Sequence, residues 1–211
     1  MSQTPTANQA SSETQDKILC AAETLFIKKG FSATSLRSIA IEAKVNLAAT
    51  HYHFGSKEGL FAATVHRHIK PITEKRFQAL DALLSSAEPL TVENIMKAFL
   101  SPLVDASISK VLPRLMGRVF GEPEFISRPL LEQEFGATSS RFIDALQIAL
   151  PDVDLIDLQW RFHFTLGSMI QLLNFDHPHN VPPLKADGDR QADPKDGFER
   201  LLSFATAGIT Q

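Results

Sequence analysis

Residues 33–61 limit what this chain can fold into more than any other part of the sequence. They read ATSLRSIAIEAKVNLAATHYHFGSKEGLF, and apolar residues recur at spacings of three and four from Leu36 to Ala43. This spacing predicts one apolar stripe on a short helix. A second short helix is predicted over 47–54, after a tight turn, and Gly55 is placed to end it. Two short helices joined in this way predict a helix-turn-helix.

Polar residues stand where each of these helices should begin. Thr34 and Ser35 precede the first helix, Asn46 precedes the second, and Ser56 precedes a third. An oxygen at such a position accepts a backbone N–H that would otherwise lack a partner. The sequence therefore predicts three separate helix starts within one compact motif.

The second helix has the composition that DNA contact requires. The second helix of such a motif enters the major groove, and Ala48 and Ala49 are small enough to let the backbone approach base edges. We expect the helix to begin at Leu47, with Ala48, Ala49, Thr50 and His51 facing the bases and with Thr34, Arg37, Tyr52, His53 and Lys57 holding phosphates.

This stretch resembles the DNA-binding domain of the tetracycline-repressor (TetR) family. The resemblance spans about residues 16–64 and rests on Thr34, Ile39-Ala40, Ala43, Val45, Tyr52, His53-Phe54 and Ser56-Lys57-Glu58. It implies a transcriptional regulator, most often a repressor, that binds a palindromic operator as a homodimer and responds to a small ligand. The later segments LMGRVFGEPEF and WRFHFTLG resemble a subset of the same regulators.

Two residues depart from the family pattern. Lys44 stands where such proteins usually have a glycine in the turn, and Thr50 replaces the usual aliphatic anchor of the recognition helix. If Lys44 has a positive φ, its side chain costs about 1 kcal/mol there. These departures favour an alternative function, that of a helical interaction module that keeps the fold and has lost specific DNA binding.

The remainder of the chain is predicted to be helical. Beyond residue 89 no stretch alternates polar and β-branched residues as a strand would. We therefore expect an all-α chain with a disordered tail over 1–12, a three-helix DNA-binding domain over 13–56 and a helical regulatory and dimerisation bundle over 57–211. The expected helices are 13–29, 56–85, 92–108, 111–120, 124–150, 155–175 and 194–209, with a long exposed loop over 177–193. Pro71 should kink or split the second of these helices, because it lacks a backbone N–H.

The charge distribution agrees with a DNA-facing N-terminal part. Residues 1–80 hold ten Lys and Arg against six Asp and Glu, a net charge of +4, whereas residues 81–211 hold eleven against eighteen, a net charge of −7. A basic region placed on a helix-turn-helix is the electrostatic pattern expected of a nucleic-acid binder.

Several other functions have little support in the sequence. The chain has one cysteine and therefore no internal disulfide, and it lacks the long apolar run of a membrane span, so we expect a cytoplasmic protein. The sequence contains neither a nucleophile elbow nor a glycine-rich phosphate loop, so no motif in it suggests an enzyme. The His51–His53 and His66–His68 pairs are two residues apart on predicted helices, where side chains point in different directions. We expect no metal and no cofactor.

The C-terminal aromatic residues are expected first of all to form the core of a helical bundle. A ligand pocket among them would need an apolar lining with a few polar groups converging on it. The resemblance implies such a pocket for a small apolar or amphipathic effector, and the candidate lining residues are Phe99, Met116, Phe120, Phe135, Arg141, Phe142 and His163.

The segment LIDLQWRFHFTLGSMIQLLNF carries apolar side chains on two faces, so a helix there must be buried on most sides. Pairing with the last helix would supply half of a four-helix dimer interface, as the resemblance implies. The candidate interface residues are Ile156, Trp160, Phe164, Gly167, Phe198, Leu201, Leu202 and Ala205. Dimerisation would supply a second recognition helix, because one such helix reads too few base pairs for useful specificity.

Overall fold

The computed structural model describes residues 7–87, 89–103, 111–173 and 194–211. These residues form α-helices, one short 3-10 helix (Ser101–Leu103) and no strand, which confirms the all-α prediction. The α-helices are α1 (Ala7–Lys29), α2 (Leu36–Glu42), α3 (Leu47–Phe54), α4 (Lys57–Leu84), α5 (Val92–Leu100), α6 (Val111–Gly121), α7 (Glu124–Ala149), α8 (Leu155–Leu173) and α9 (Pro194–Thr210).

The described residues divide into two compact units. The N-terminal unit takes the residues up to Lys70 together with 114–133, and the C-terminal unit takes 71–113 together with 134–211. Helix α4 contributes its first half to one unit and its second half to the other. The division falls between Lys70 and Pro71, where the proline ring removes one intrahelical hydrogen bond. Helix α4 nevertheless continues through Pro71 and is not split.

The capping residues of the helix-turn-helix act largely as predicted. Ser35 caps α2 and forms a reciprocal pair of hydrogen bonds with Ser38, each 3.1 Å long. Asn46 caps α3, and its Oδ1 accepts the backbone N–H of Ala49 at 2.7 Å. The hydroxyl of Ser56 accepts the N–H of Gly59 at 3.0 Å at the start of α4. Since unpaired N–H groups weaken a helix end, these contacts fix where each short helix begins.

An aromatic cluster forms the centre of the N-terminal unit. Phe26 of α1, Phe31 of the following turn and Phe61 of α4 are all buried. The ring centroids of Phe26 and Phe61 lie 4.8 Å apart in an edge-to-face arrangement, and those of Phe31 and Phe61 lie 5.2 Å apart. Such pairs stabilise a core beyond the area that they bury, and Ile39 of α2, also buried, holds the helix-turn-helix against the same core.

Two helix boundaries differ from the sequence predictions. Helix α1 begins at Ala7, so residues 7–12, which we expected in a disordered tail, are helical. No glycine or proline interrupts the chain between Pro5 and Gly30, so the helix can extend backward. Helix α5 ends at Leu100 and is followed by the 3-10 helix, not by a helix continuing to Ile108. Residues 1–6, 104–110 and the expected loop 177–193 lie outside the described residues.

The core of the C-terminal unit is built around Phe99 of α5. Its ring contacts Phe142 of α7 and Phe162 of α8 at centroid distances of 5.0 and 5.1 Å, both edge to face. All three rings are buried, as are Leu80 of α4 and Ile95 of α5. Helix α9 packs against α5 and α8 in this unit.

Candidate DNA-binding interface

The recognition helix α3 presents most of its predicted contact residues to solvent. Tyr52 is 84% exposed, Ala48 and His51 are exposed, and Leu47 is partly exposed. Ala49 and His53 are half-buried, and the rings of Tyr52 and His53 meet edge to face at 5.2 Å. The His51 ring nitrogen Nδ1 lies 3.1 Å from the carbonyl oxygen of Gly55. This surface has the size and the chemistry of a groove-reading helix.

Two predicted contact residues lie in the core instead. Thr50 is 0% exposed, and its hydroxyl donates to the carbonyl of Leu47 at 2.7 Å. Thr34 is also buried, and its hydroxyl donates to the carbonyl of Gly30 at 2.7 Å. The predictions that Thr50 faces the bases and that the Thr34 hydroxyl holds a phosphate are therefore wrong, because neither side chain can reach a ligand. Thr50 occupies the position of the buried anchor itself.

The two predicted cations differ in their surroundings. Arg37 is exposed on α2. Lys57 is half-buried, its Nζ donates to the carbonyl of Phe31 at 3.1 Å, and the same atom lies 4.1 Å from the centre of the Phe31 ring. Lys57 would have to leave these partners to reach a phosphate, whereas Arg37 would not.

Lys44 has the left-handed backbone conformation that its glycine-like position suggested. Its φ is +56°, and it is the non-glycine residue with positive φ among those described. The conformation lets the chain turn from α2 to α3, with the N–H of Val45 donating to the carbonyl of Ala40 at 3.0 Å. A side chain in this conformation costs roughly 1–2 kcal/mol.

We expect Lys44→Gly to stabilise the protein by about 1 kcal/mol, since relief of the left-handed strain exceeds the added entropy of the unfolded chain. The measurement is urea unfolding, where the midpoint should rise with an unchanged slope. Lys44→Ala is the matched control because it removes the long side chain but keeps Cβ. Equal stabilisation by alanine would show that strain is not the cause.

Two residues hold the end of α1 and the turn after it, a role that the sequence did not predict for either. Arg118 of α6 donates from Nε to the carbonyl of Ile27 at 2.9 Å and from Nη2 to that of Lys28 at 3.3 Å. Glu122 accepts the N–H of Phe31 at 2.8 Å through Oε1. A cation on the last carbonyls of a helix is favourable both as a hydrogen bond and with the helix dipole. No local sequence pattern signals these contacts, because the partners are about ninety residues apart.

Helix α8 has an exposed apolar face on the side away from its core residues. Ile156, Trp160 and Phe164 recur at a spacing of four and are 60–65% exposed, and Gly167 continues the same face. The rings of Trp160 and Phe164 lie 6.0 Å apart. The opposite stripe, which includes Leu158 and Phe162, is buried within the unit. Large apolar side chains exposed in a row are typical of an interaction surface.

Helix α9 divides its apolar residues in a way that the sequence analysis partly missed. Leu201 and Ala205 are buried inside the unit, so their prediction as interface residues is wrong. Phe198 and Leu202 are half-buried. Phe204, which was not predicted, is 63% exposed. The sequence indicates this exposure, because Phe204 does not lie on the apolar stripe of α9 that Leu201 and Ala205 define.

The seven predicted ligand-lining residues are divided between the two units. Phe99 and Phe142 are in ring contact, and Phe135 is half-buried on α7. Arg141 pairs with Asp81 and lies over the ring of Phe77 at 4.5 Å, while His163 is exposed with Nδ1 3.0 Å from the carbonyl of Gln159. Met116 and Phe120 lie on α6 in the N-terminal unit.

The C-terminal unit also has an open groove of about 530 Å³ at α5 and α9. Glu93, Glu199, Ser203, Thr206 and Leu202 line it together with the end of α9. None of the seven predicted ligand residues belongs to its lining. The described residues include no cluster of three or more potential metal ligands, and none of the described helices is long and apolar enough to cross a bilayer.

Two known sequence families match the chain. The family described as bacterial regulatory proteins, tetR family, matches residues 18–64, which include the whole helix-turn-helix. The family described as tetracyclin repressor-like, C-terminal domain, matches residues 97–208, more than half of the chain. The two matches follow one another along the sequence without overlap.

Individual proteins resemble the chain in its N-terminal part or in its fold. The Bacillus subtilis protein named probable HTH-type transcriptional regulator YttP is 53% identical over 47 residues, 22% of this chain and 23% of that protein. The chain spans well under half the length of the first curated relatives that it matches.

Two solved structures share the fold across nearly the full length. One is NalD, described as the secondary repressor of the MexAB-OprM multidrug efflux pump in Pseudomonas aeruginosa, with a TM-score of 0.65, 21% identity and coverage of 94% of this chain and 97% of that one. The other is SmeT in complex with triclosan, with a TM-score of 0.67, 19% identity and coverage of 92% and 90%.

Proposed function

The chain belongs to the TetR family of bacterial regulatory proteins, and we propose on that basis that it is a DNA-binding transcriptional regulator. The protein works as a homodimer that places two copies of α3 in successive major grooves of a palindromic operator. Arg37 and Tyr52 hold phosphates beside the groove, and Ala48, Ala49 and His51 approach the base edges.

The observation that carries this proposal is the surface of α3. The helix is capped by Asn46, anchored by the buried Thr50 and left with its small and aromatic residues exposed. A rigid helix that buries only its anchor residue and exposes alanines and an aromatic ring contributes little to the packing of its own protomer. It suits a partner with a groove wide enough to admit a helix, as the DNA major groove is.

Repression with release by a small ligand is the mode of action that we favour. NalD is described as a secondary repressor, and SmeT was solved in complex with triclosan. The effector is a small apolar or amphipathic molecule that binds in the C-terminal unit. Its signal would travel along α4, which runs from one unit into the other, and through the Arg118 and Glu122 contacts to α1. A change of a few ångströms in the distance between recognition helices, from the 34–36 Å or so that adjacent major grooves require, weakens binding.

The alternative of an interaction module without DNA binding loses one of its two supports. Thr50 is buried and serves as an anchor, so its departure from the family pattern leaves the exposed face of α3 intact. Lys44 accommodates the turn at an energetic cost without blocking it. Family and fold favour a regulator over an enzyme. The cytoplasm, where the operator DNA lies, is the location that follows from this function.

A gel-shift experiment with DNA flanking its own coding region tests the proposal. We expect a dimer-sized complex on one fragment that resists competition by unrelated DNA. If unrelated DNA competes equally well against every fragment, the binding is non-specific, and this result would favour the interaction module.

The phosphate role of Arg37 is tested by the salt dependence of operator affinity. Each lost phosphate contact lowers the slope of log affinity against log salt by about 0.9, so Arg37→Ala should lower the slope by about 2 in a dimer. Fluorescence anisotropy at several salt concentrations measures it. Lys97→Ala, which removes an exposed cation from α5 in the C-terminal unit, should leave the slope unchanged. An unchanged slope in Arg37→Ala would remove this residue from the interface.

A further inference from the structure

The interior of the C-terminal unit contains a charged side chain that the proposed function does not use. Arg76 of α4 is 3% exposed. Its Nε donates to the carbonyl of Phe99 at 2.8 Å, and its guanidinium carbon lies 3.8 Å from the centre of the Phe99 ring. Helices α4, α5 and α8 meet at this group, since its remaining contact is with Met169 of α8.

The hydrogen bonds of Arg76 are few and partly weak. A guanidinium carries five N–H donors. Besides the Phe99 carbonyl, its described acceptor is the Met169 sulfur, 3.4 Å from Nη2. A thioether is a weak acceptor. Among the described residues no carboxylate forms an ion pair with Arg76, and its hydrogen bonds come from Nε and Nη2 but not from Nη1. Nη1 is not one of the buried polar atoms without a partner, so it keeps some contact with solvent. Burying a charge in this way is costly unless something compensates it.

A structural role explains only one of these donors. Phe99 lies in the last turn of α5, where backbone carbonyls lack intrahelical partners, so the Nε contact caps that helix end. A neutral amide could make the same contact at a far smaller desolvation cost. Burial lowers the pKa of Arg76 to about 9, so the group keeps its charge at neutral pH. The Phe99 ring gives the positive charge a cation–π contact, but neither Nη group donates to a strong acceptor among the described residues.

A second buried polar group lies one turn away. Thr73 precedes Arg76 by three residues on α4, a spacing that places two side chains on the same helix side. Its hydroxyl oxygen is buried and has no hydrogen-bond partner among the described residues. Unsatisfied buried polar groups in a folded protein need an explanation. A hydroxyl beside a guanidinium is a suitable pair of donors for a carboxylate, which accepts up to four hydrogen bonds.

We propose that Arg76 is the anchor of an internal site for an apolar monocarboxylate, whose carboxylate takes the place of the Met169 sulfur and accepts from the two Nη groups and Thr73. The apolar body of the ligand lies among the aromatic residues around Phe99. Methionine suits the displaced position because its flexible side chain repacks readily. This inference rests on the proposed function in one respect, that the C-terminal unit is the ligand-binding part.

The test measures ligand binding by the full chain without DNA. The probes are two carboxylates of different shape, decanoate and 2-naphthoate, each paired with a neutral partner, 1-decanol and 2-naphthamide. Thermal unfolding with each probe and calorimetric titration give the stabilisation and Kd, because a ligand that binds only the folded state raises Tm. We expect at least one carboxylate to raise Tm of the wild-type protein more than its neutral partner does.

Arg76→Gln is the decisive variant. Glutamine places an amide nitrogen at the same distance along the side chain as Nε, so the contact to Phe99 can persist while the charge and both Nη groups disappear. Carboxylate binding should weaken at least about thirtyfold, the lower end of the cost of removing one partner of a buried charge pair. Tm of the unliganded protein should stay equal or rise, because an uncompensated buried charge has been removed. A purely structural Arg76 would instead give a lower Tm.

A second variant keeps the test decisive if the first does not fold. Arg76→Lys retains the charge but loses the planar fork, and the carboxylate Kd should rise about tenfold or more. The proposal is overturned if neither carboxylate raises Tm of the wild-type protein more than its neutral partner does. It is also overturned if this difference in Tm persists in Arg76→Gln, or if it is undiminished in Arg76→Lys. Since no DNA is present, these results leave the proposed regulator function untouched, and a failed gel shift leaves this site untouched.

Discussion

Ala48→Asp should abolish specific DNA binding while leaving the fold intact. Ala48 is exposed in the first turn of α3, where the proposed complex brings it against base edges and between phosphates. A carboxylate there meets like charge, which costs several kcal/mol at an interface. We expect at least about a hundredfold loss of operator affinity, equivalent to nearly 3 kcal/mol, measured by gel shift or fluorescence anisotropy.

The fold should tolerate this change because an acidic residue in the first turn of a helix interacts favourably with the helix dipole. Tm of Ala48→Asp should therefore equal or slightly exceed that of the wild-type protein. Ala82→Asp is the matched control, since it makes the same substitution at an exposed position of α4 in the C-terminal unit. If Ala48→Asp still binds its operator tightly, α3 does not enter the groove.

The second large effect, a loss of dimerisation, is expected from substitutions on the exposed face of α8. Trp160 and Phe164 are 60% and 64% exposed, and together with Ile156 they are the large exposed apolar residues of the predicted dimer interface. Replacing Trp160 and Phe164 with glutamate would put four charges into this predicted interface, two from each subunit. Sedimentation should show particles of 23.3 kDa where the wild-type protein gives twice that mass.

The loss of pairing should also appear in DNA binding. Joining two recognition helices raises affinity by about 10²- to 10⁴-fold over one, so the monomeric variant should lose a comparable factor. Circular dichroism should be unchanged because both side chains are exposed. Phe125→Glu is the control, because it changes an equally exposed aromatic residue of α7 in the N-terminal unit. An intact dimer in the double variant would refute this interface.

Much of the helix-turn-helix could be predicted from neighbouring residues alone. The caps at Ser35, Asn46 and Ser56 depend on hydrogen bonds that span three residues. The positive φ at Lys44 agrees with the glycine that related proteins usually have at this turn position. Such contacts leave a readable pattern, because the chemistry of each lies within one turn of the chain.

The roles of Thr34 and Thr50 could not be read in the same way. Both are polar and both stand beside candidate DNA-contact residues, so the sequence favoured exposure. The structure buries them because each hydroxyl finds a carbonyl of its own chain, Gly30 for Thr34 and Leu47 for Thr50. A threonine with its hydroxyl satisfied locally packs like a small apolar residue, and composition alone does not distinguish that state.

On α8 and α9 the sequence showed that apolar residues occupied more than one face, but it did not assign every residue to a face. Leu201 and Ala205 pack inward and Phe204 points to solvent. The assignment depends on how α9 is rotated against α5 and α8. That rotation is set by packing between helices distant in the sequence.

The sequence by itself determined the helical class, the positions of the helix-turn-helix caps and the apolar face of α8, because periodicity and capping act over three or four residues. Tertiary structure alone decided that Arg118 and Glu122 hold the end of α1 and that Arg76 is buried against Phe99. Those contacts join residues 23–91 positions apart, and their formation depends on the packing of whole helices.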